Sequence, residues 1–281
     1  MRRLALAILL LAVPAHAAPA HVLGHFTTSF QTDAEHKARA SNVELAADAI
    51  DRKTIAPGAT FSFNDAVGER TAAFGFAKAT VLRDGMLAEG TGGGTCQVAS
   101  TLHAAALLGG LEVVHRAPHS RPSAYIRMGL DATVVFGKID LVIRNPGTLP
   151  ITIRARTSKG TLDVALESEA DVPKVTLTSE IVERMPFTNV YERDRSVTDA
   201  KVHVRAFGVP GFRVKRVRVV DGRTDVRTDT YPPVSAVLRV GLADGGTSSE
   251  EEGAAMVDAE AVRPALVQVR PSTMVTLDNA R

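Results

Sequence analysis

The chain has 281 residues, with 33 Lys and Arg against 31 Asp and Glu, one Cys, no Trp and 45% hydrophobic residues. That apolar fraction, with 22 Gly and 14 Pro, excludes a disordered or collagen-like chain, and the length suffices for a full core and two domains. A single Cys excludes an intramolecular disulfide framework and a zinc site with several Cys ligands. A charge near zero argues against nucleic acid as a partner, because that attraction depends on neutralising many phosphates.

The first 17 residues read as a secretory signal: Arg2 and Arg3, an apolar run from Leu4 to Val13, then Ala15-His16-Ala17 with small residues at the positions that precede cleavage. Without Arg2 and Arg3 the balance is 31 basic against 31 acidic residues. The apolar run is shorter than the roughly 20 residues a bilayer needs. The expectation is an exported protein, periplasmic or extracellular, with no transmembrane span after cleavage. An unpaired thiol in an oxidising compartment has to be buried or used, which draws attention to Cys96.

A Thr/Ser-containing stretch comes next. Helical spacing then runs from His36 to Arg52, with Ala38, Val43, Leu45, Ala46, Ala49 and Ile50 as its apolar face, and Pro57-Gly58 makes a turn. Phe61, Phe63 and Val67 mark a short strand and loop, followed by Phe74 to Leu82 and a turn at Asp84-Gly85. Gly92-Gly93-Gly94 introduces the clearest helix, Thr95 to Leu108, with Thr95 as N-cap, a stripe of Val98, Leu102, Ala105 and Ala106, and a stop at Gly109-Gly110. Period two then takes over: Asp131 to Phe136, Ile139 to Arg144, Ile151 to Arg156 and Leu162 to Leu166 read as strands. Helices followed by a strand meander predict an α+β domain over 18–167, its Cys-bearing helix packed on a mostly antiparallel sheet. A boundary falls near 168–174. A small all-β domain over 168–242 carries a hairpin signal at Asp221-Gly222, and the Gly/Ser/Glu-rich stretch within 243–281 reads as linker and flexible tail.

The chemistry concentrates on the segment from Gly92 to Leu111. Cys96 falls in the first turn of its helix, where free N–H groups and the helix dipole favour a thiolate. His119 and Asp131 follow in the order Cys, His, Asp, which allows a triad: Cys96 as nucleophile, His119 as base, Asp131 as orienter of the imidazole. The competing reading is a buried, inert Cys behaving as a small hydrophobe. His103 lies two turns above Cys96, out of hydrogen-bond reach, and reads as an ordinary helix residue. A metal site from Cys96, His115 and His119 is disfavoured because Pro118 breaks the helix that such spacing needs. No metal and no cofactor is implied.

Three blocks resemble the VanW family of bacterial envelope proteins: FSFNDAVGERTAAFGFAKATVLRDG from Phe61, GGGTCQVASTLHAAALLGGL from Gly92, and PHSRPSAYIRMGLDATVVFGKIDLVIRN from Pro118. With Pro57-Gly58 they span most of 24–156; His103 departs from the aromatic residue more usual there. The resemblance implies an exported envelope protein and hands over no activity. It maps the family motifs onto Asn64, Gly68, Arg70, Gly92, Gly93, Gly94, Cys96, Gln97, Ser100, His119, Ser120 and Asp131. Of these, Asn64, Arg70, Gly93, Gly94, Gln97, Ser100 and Ser120 are candidates for substrate binding, each with a structural role as the alternative. Gln97 and Ser100 can donate hydrogen bonds, and Arg70 can meet a carboxylate such as a peptidoglycan D-alanyl terminus. From Ser168 to Gly241 the chain resembles the small G-five domain of extracellular proteins, through Gly208, Gly211, Gly222, Tyr231-Pro232 and Val240-Gly241. Such domains imply adhesion to wall glycan, and Arg213, Lys215 and Arg218 share or border one strand face that can meet it. Two functions stand: a thiol-dependent hydrolase or acyl-transferase acting on peptidoglycan amide bonds, or a non-catalytic module binding wall glycan or a partner protein.

Overall fold

The structure, a computed structural model, describes residues 20–83, 86–197, 202–241 and 275–278. The expected signal segment, the Asp84-Gly85 turn and most of the expected linker and tail lie outside the described residues. The fold is β-rich α+β. In chain order the elements are β1 (His21–Ser29), α1 (Lys37–Ile50), β2 (Thr54–Ile55), β3 (Thr60–Ser62), α2 (Phe63–Val67), β4 (Lys78–Arg83), β5 (Met86–Thr91) and α3 (Thr95–Leu108). They continue with β6 (Glu112–His115), β7 (Val142–Arg144), β8 (Ile151–Ser158), β9 (Thr161–Ser168), β10 (Val175–Met185), β11 (Asn189–Arg193), β12 (His203–Ala206), β13 (Gly211–Val220), β14 (Arg223–Tyr231), β15 (Ala236–Val240) and β16 (Val275–Asp278).

The N-terminal sheet has the order β1-β9-β8-β2 and every pairing is antiparallel. Strict alternation in β8 and β9 sends Ile151, Ile153, Ala155, Leu162, Val164 and Leu166 to one buried face. Helices α1 and α3 lie against this sheet and against each other, α1 on β8 and α3 on β1 and β9. Strand β1 carries little period-two signal because a register shift between Val22 and Gly24 puts adjacent residues Leu23 and Gly24 both inside. Helix α1 begins with His36 as its N-cap residue and buries Ala40, Asn42, Val43, Ala46, Ala47 and Ile50, so the inner face includes a polar residue that hydropathy does not select.

Three other elements depart from expectation. Residues 63–67 are a helix rather than loop, started by the Ser62 hydroxyl accepting from the Asp65 N–H. Residues 131–136 form no strand: only the isolated bridges Ala117–Thr133 and Val135–Ile139 tie that segment down, and its backbone is held by side chains instead. In α3 the N-cap is Gly94, with no side-chain cap bond, and Thr95 is already helical. The expected stripe is also too narrow, since α3 is buried on all sides except at Cys96. One flank lies on the N-terminal sheet; on the other, Ala104, Leu107 and Leu108 pack with Leu177 of β10, Ile126 and Leu130.

The C-terminal part is all β. One sheet has the order β14-β13-β10-β16 and the other β11-β15-β12, in which β11 and β15 run parallel. β13 and β14 form the hairpin, with Asp221 at φ 47° and Gly222 at φ 82°, the twin positive angles of a tight turn matched to strand twist. Arg213 and Lys215 share an exposed face of β13, while Arg218 lies on the opposite face and donates to the Leu111 carbonyl at 2.7 Å.

Strand β1 approaches the end of α3 closely. A Cβ on Gly24 would stand 2.2 Å from the Gly109 nitrogen and 2.3 Å from the Ala105 carbonyl oxygen. Gly24→Ala is therefore expected to lower unfolding free energy by about 3 kcal/mol, measured by urea denaturation, as overpacking against rigid backbone does. Stability equal to the parent would contradict the close contact.

Candidate functional site

The site starts from the glycine loop. Gly94 has φ 116°, a conformation that side chains rarely adopt, and a Cβ on Gly93 would lie 2.4 Å from the Thr80 carbonyl oxygen. Asn42 of α1 pins the loop: its amide nitrogen donates to the carbonyls of Ala77 (3.0 Å) and Gly93 (2.9 Å), and its oxygen accepts from the Ala77 N–H. This fixes Cys96 as the second helical residue of α3, half-buried, with its sulfur 3.5 Å from both the N–H and the carbonyl of Val134.

His119 is buried on the loop after β6. Its Nδ1 lies 2.8 Å from Asp131 Oδ2, and its own N–H donates to the same oxygen at 2.7 Å. The imidazole lies close enough to the Cys96 sulfur to act on its thiol. With Nδ1 on the carboxylate, the nitrogen left for the sulfur is Nε2, which the Tyr125 hydroxyl also approaches at 3.4 Å. Asp131 thus holds His119 directly, and His119 acts on the Cys96 thiol.

Burial alone would raise the Cys96 thiol. The hydrogen bond and charge of His119, the Val134 N–H and the Arg70 guanidinium outweigh it, and the thiol lies below its ordinary value. Burial likewise works against charge on His119, but Asp131 and the Cys96 thiolate raise it to about 9. Asp131 is held well below the usual carboxylate range: burial opposes this, and His119 and Arg116 prevail. Each of the three thus sits among groups that favour its charged form.

The other candidates divide. The Arg70 charge reaches the Cys96 sulfur, and its guanidinium lies 5.5 Å from the Phe63 ring centroid and 5.9 Å from that of Phe136. Nη1 donates to Gly68 O at 2.6 Å, and Nη2 is buried with no protein partner. Gln97 is fully occupied: its oxygen accepts from Arg39, and its nitrogen donates to Thr28 and Ser29. Ser100 ties α3 to the Asp131 segment, donating to Cys96 O and Ala132 O and accepting from the Ala132 N–H. Asn64 holds the neighbouring loop through Val135 O and Ile139 O. Ser120 is half-buried next to His119, and His115 is exposed on β6. His103 is buried, its Nδ1 2.7 Å from Leu130 O; burial and the charges of Arg116 and Arg216 keep it far below its ordinary value, hence neutral.

Four residues that sequence reasoning did not select complete the surroundings. Arg39 lies 5.8 Å over the Tyr125 ring, close enough to the sulfur for their charges to interact. Arg116 is buried and donates to Asp131 twice, from Nε to its carbonyl (2.6 Å) and from Nη2 to Oδ1 (2.9 Å). Tyr231 donates its hydroxyl to the same Oδ1 at 2.5 Å, and Asp229 pairs with Arg116 at 2.5 Å. The last two come from β14, about a hundred residues away, and no local spacing announces them.

Residues 38–167 match the family described as VanW like protein. That segment is a VanW-like domain. The chain is 42% identical over 146 residues to the uncharacterized protein YoaR of Bacillus subtilis (strain 168), covering 52% of this chain and 48% of that protein. It is 32% identical over 109 residues to the vancomycin B-type resistance protein VanW of Enterococcus faecalis (strain ATCC 700802 / V583), covering 37% and 40%. The chain thus spans about half or less of the curated relatives it matches. Among solved structures, an IgA1 protease G5 domain is similar to 26% of the chain over 94% of its own length, at 19% identity and a TM-score of 0.20. No helix among the described residues is long and apolar enough to cross a membrane.

The surroundings of Cys96 and His119 thus favour the thiolate and the imidazolium together. Thiolate absorbance in the ultraviolet is expected to persist well below the ordinary thiol range near about 8.5. His119→Ala should move the inflection up by about one unit or more, because burial then acts unopposed by the imidazolium. An inflection unchanged by His119→Ala would contradict this electrostatic arrangement.

Proposed function

We propose that this protein is an exported envelope enzyme, a thiol-dependent hydrolase or acyl-transferase acting on amide bonds of peptidoglycan or its precursors. The observation that carries the reading is Cys96 at a helix N-terminus, acted on by a His119 that Asp131 holds. A thiolate placed so is already the nucleophile, and the imidazolium beside it is the acid that the leaving group needs.

In this reading the Cys96 thiolate adds to the amide carbonyl carbon. The C–N bond breaks as His119 Nε2 gives its proton to the departing amine, leaving a thioester on the sulfur. His119, now neutral, takes a proton from water or from an incoming amine; that nucleophile forms the new bond to carbon, and the thiolate leaves. Asp131 keeps Nδ1 protonated and the ring oriented throughout. The unpartnered Nη2 of Arg70, whose charge reaches the sulfur, suits a carboxylate on the substrate, such as a peptide terminus, and makes Arg70 the strongest of the substrate-binding candidates. Gly93 and Gly94 act by shaping the loop. Gln97, Ser100 and Asn64 act by holding the frame, since their side chains are engaged within it.

The test is intact-protein mass spectrometry after incubation with peptidoglycan stem peptides. An acyl adduct on Cys96, absent from Cys96→Ala, is the expected result, with product release abolished by the same substitution. Retention on peptidoglycan with no adduct, unaffected by Cys96→Ala, would instead establish the non-catalytic binding module.

A further inference from the structure

Asp131 is held from two sides. From the VanW domain it receives the ring and backbone N–H of His119 on Oδ2, and Arg116 on Oδ1. From the C-terminal sheet it receives the Tyr231 hydroxyl on Oδ1, while that hydroxyl also accepts the Gly129 N–H at 2.7 Å. Arg116 is gripped in turn: its Nη1 pairs with Asp229, and Arg227 of β14 donates to its carbonyl at 3.2 Å. Arg116, Asp131, Asp229 and Tyr231 are all buried, so none of these groups has water as a substitute partner.

Charge makes the arrangement directional. Cys96, His119, Asp131, Arg116 and Asp229 form a row of alternating sign running from the sulfur into β14. Arg116 competes with His119 for the Asp131 carboxylate, and Asp229 satisfies Arg116 from behind. The other charged or titratable groups facing this cluster include Arg70 and Arg39 towards the sulfur, Arg227 of β14 at 3.6 Å from Asp229, Arg216 of β13, neutral His103 of α3 and Tyr125. Arg216 adds a second buried cation, which strengthens the need for Asp229.

We propose that the C-terminal sheet is a working part of the site: Asp229 and Tyr231 are positioning residues that hold the Asp131 carboxylate against His119, so that the chemistry of Cys96 depends on side chains contributed by β14. This rests on the reading of Cys96, His119 and Asp131 given above. It makes the second domain more than an adhesion module appended to a self-sufficient VanW domain. Neither Asp229 nor Tyr231 touches the sulfur; each acts through Asp131 or Arg116.

The experiment is the pH profile of Cys96 alkylation by iodoacetamide in the full chain, comparing the parent with Asp229→Asn and Tyr231→Phe, each checked for native circular dichroism. Asp229→Asn leaves Arg116 to lean on Asp131 and draws that carboxylate off His119. The imidazolium is then less favoured, the thiolate inflection moves up, and alkylation below the inflection slows about tenfold, equivalent to one pH unit. Tyr231→Phe, smaller by one oxygen, should shift the profile in the same direction by about threefold, and it decides the matter if Asp229→Asn does not fold. Folded variants whose profiles superimpose on the parent would overturn the proposal and leave the triad reading intact. A parent protein whose own inflection sits at the ordinary thiol value would remove the triad reading, and this proposal with it.

Discussion

A carboxylate with almost no access to water is the constraint around which this protein is organised. Asp131 is 2% exposed, and an ionised group so placed is tolerated only if donors replace its hydration. It has four: two from His119, one from Arg116 and one from Tyr231. The segment that carries it has almost no ladder of its own, so these bonds also do structural duty, together with Ser100, which clasps the Ala132 backbone to α3. Removing one partner of a buried pair of this kind commonly costs about 3–5 kcal/mol, since the other is left charged and dry. The same bonds that let residues 130–134 exist as a buried loop also set the orientation of the imidazole.

From that carboxylate the electrostatics run outward in both directions. Toward the sulfur, His119 and the first turn of α3 favour the anion, and Arg70 adds a second positive charge that reaches it. Toward β14, Arg116 and Asp229 continue the alternation, with both side chains buried. Each charge sits between opposite neighbours, which is how a cluster this dry remains ionised. The packing of α3 follows the same logic. Covered by the N-terminal sheet on one side and by Leu177 with its neighbours on the other, it can bury Gln97, Ser100 and Thr101 only because each has found partners.

Much of this was legible in residue order. The bounds of α3, the alternation in β8 and β9 and the hairpin at Asp221-Gly222 follow from periodicity, capping and turn chemistry, all local. The juxtaposition of Cys96, His119 and Asp131 could be guessed from residue type and order. What local pattern does not carry is long-range satisfaction of polar groups. Residues 131–136 alternate like a strand, yet side-chain bonds to Asp131 and Ala132 hold them in an irregular path. Asn42 looks like an interruption of an apolar helix face until Gly93 and Ala77 are brought to it. Arg218 shares composition with Arg213 and Lys215 but, by parity along β13, faces the other way. Arg116, Asp229 and Tyr231 resemble ordinary surface strand residues in sequence; only the docking of β14 turns them into partners of Asp131.

The central claim is that His119 is an imidazolium, trapped between a carboxylate and a thiolate. Nitrogen-15 NMR of the His119 ring at neutral pH addresses it directly. The account predicts that both ring nitrogens carry protons, and that the ring reverts towards neutrality in Cys96→Ala. A neutral imidazole in the native protein, indifferent to the loss of the sulfur, would contradict it.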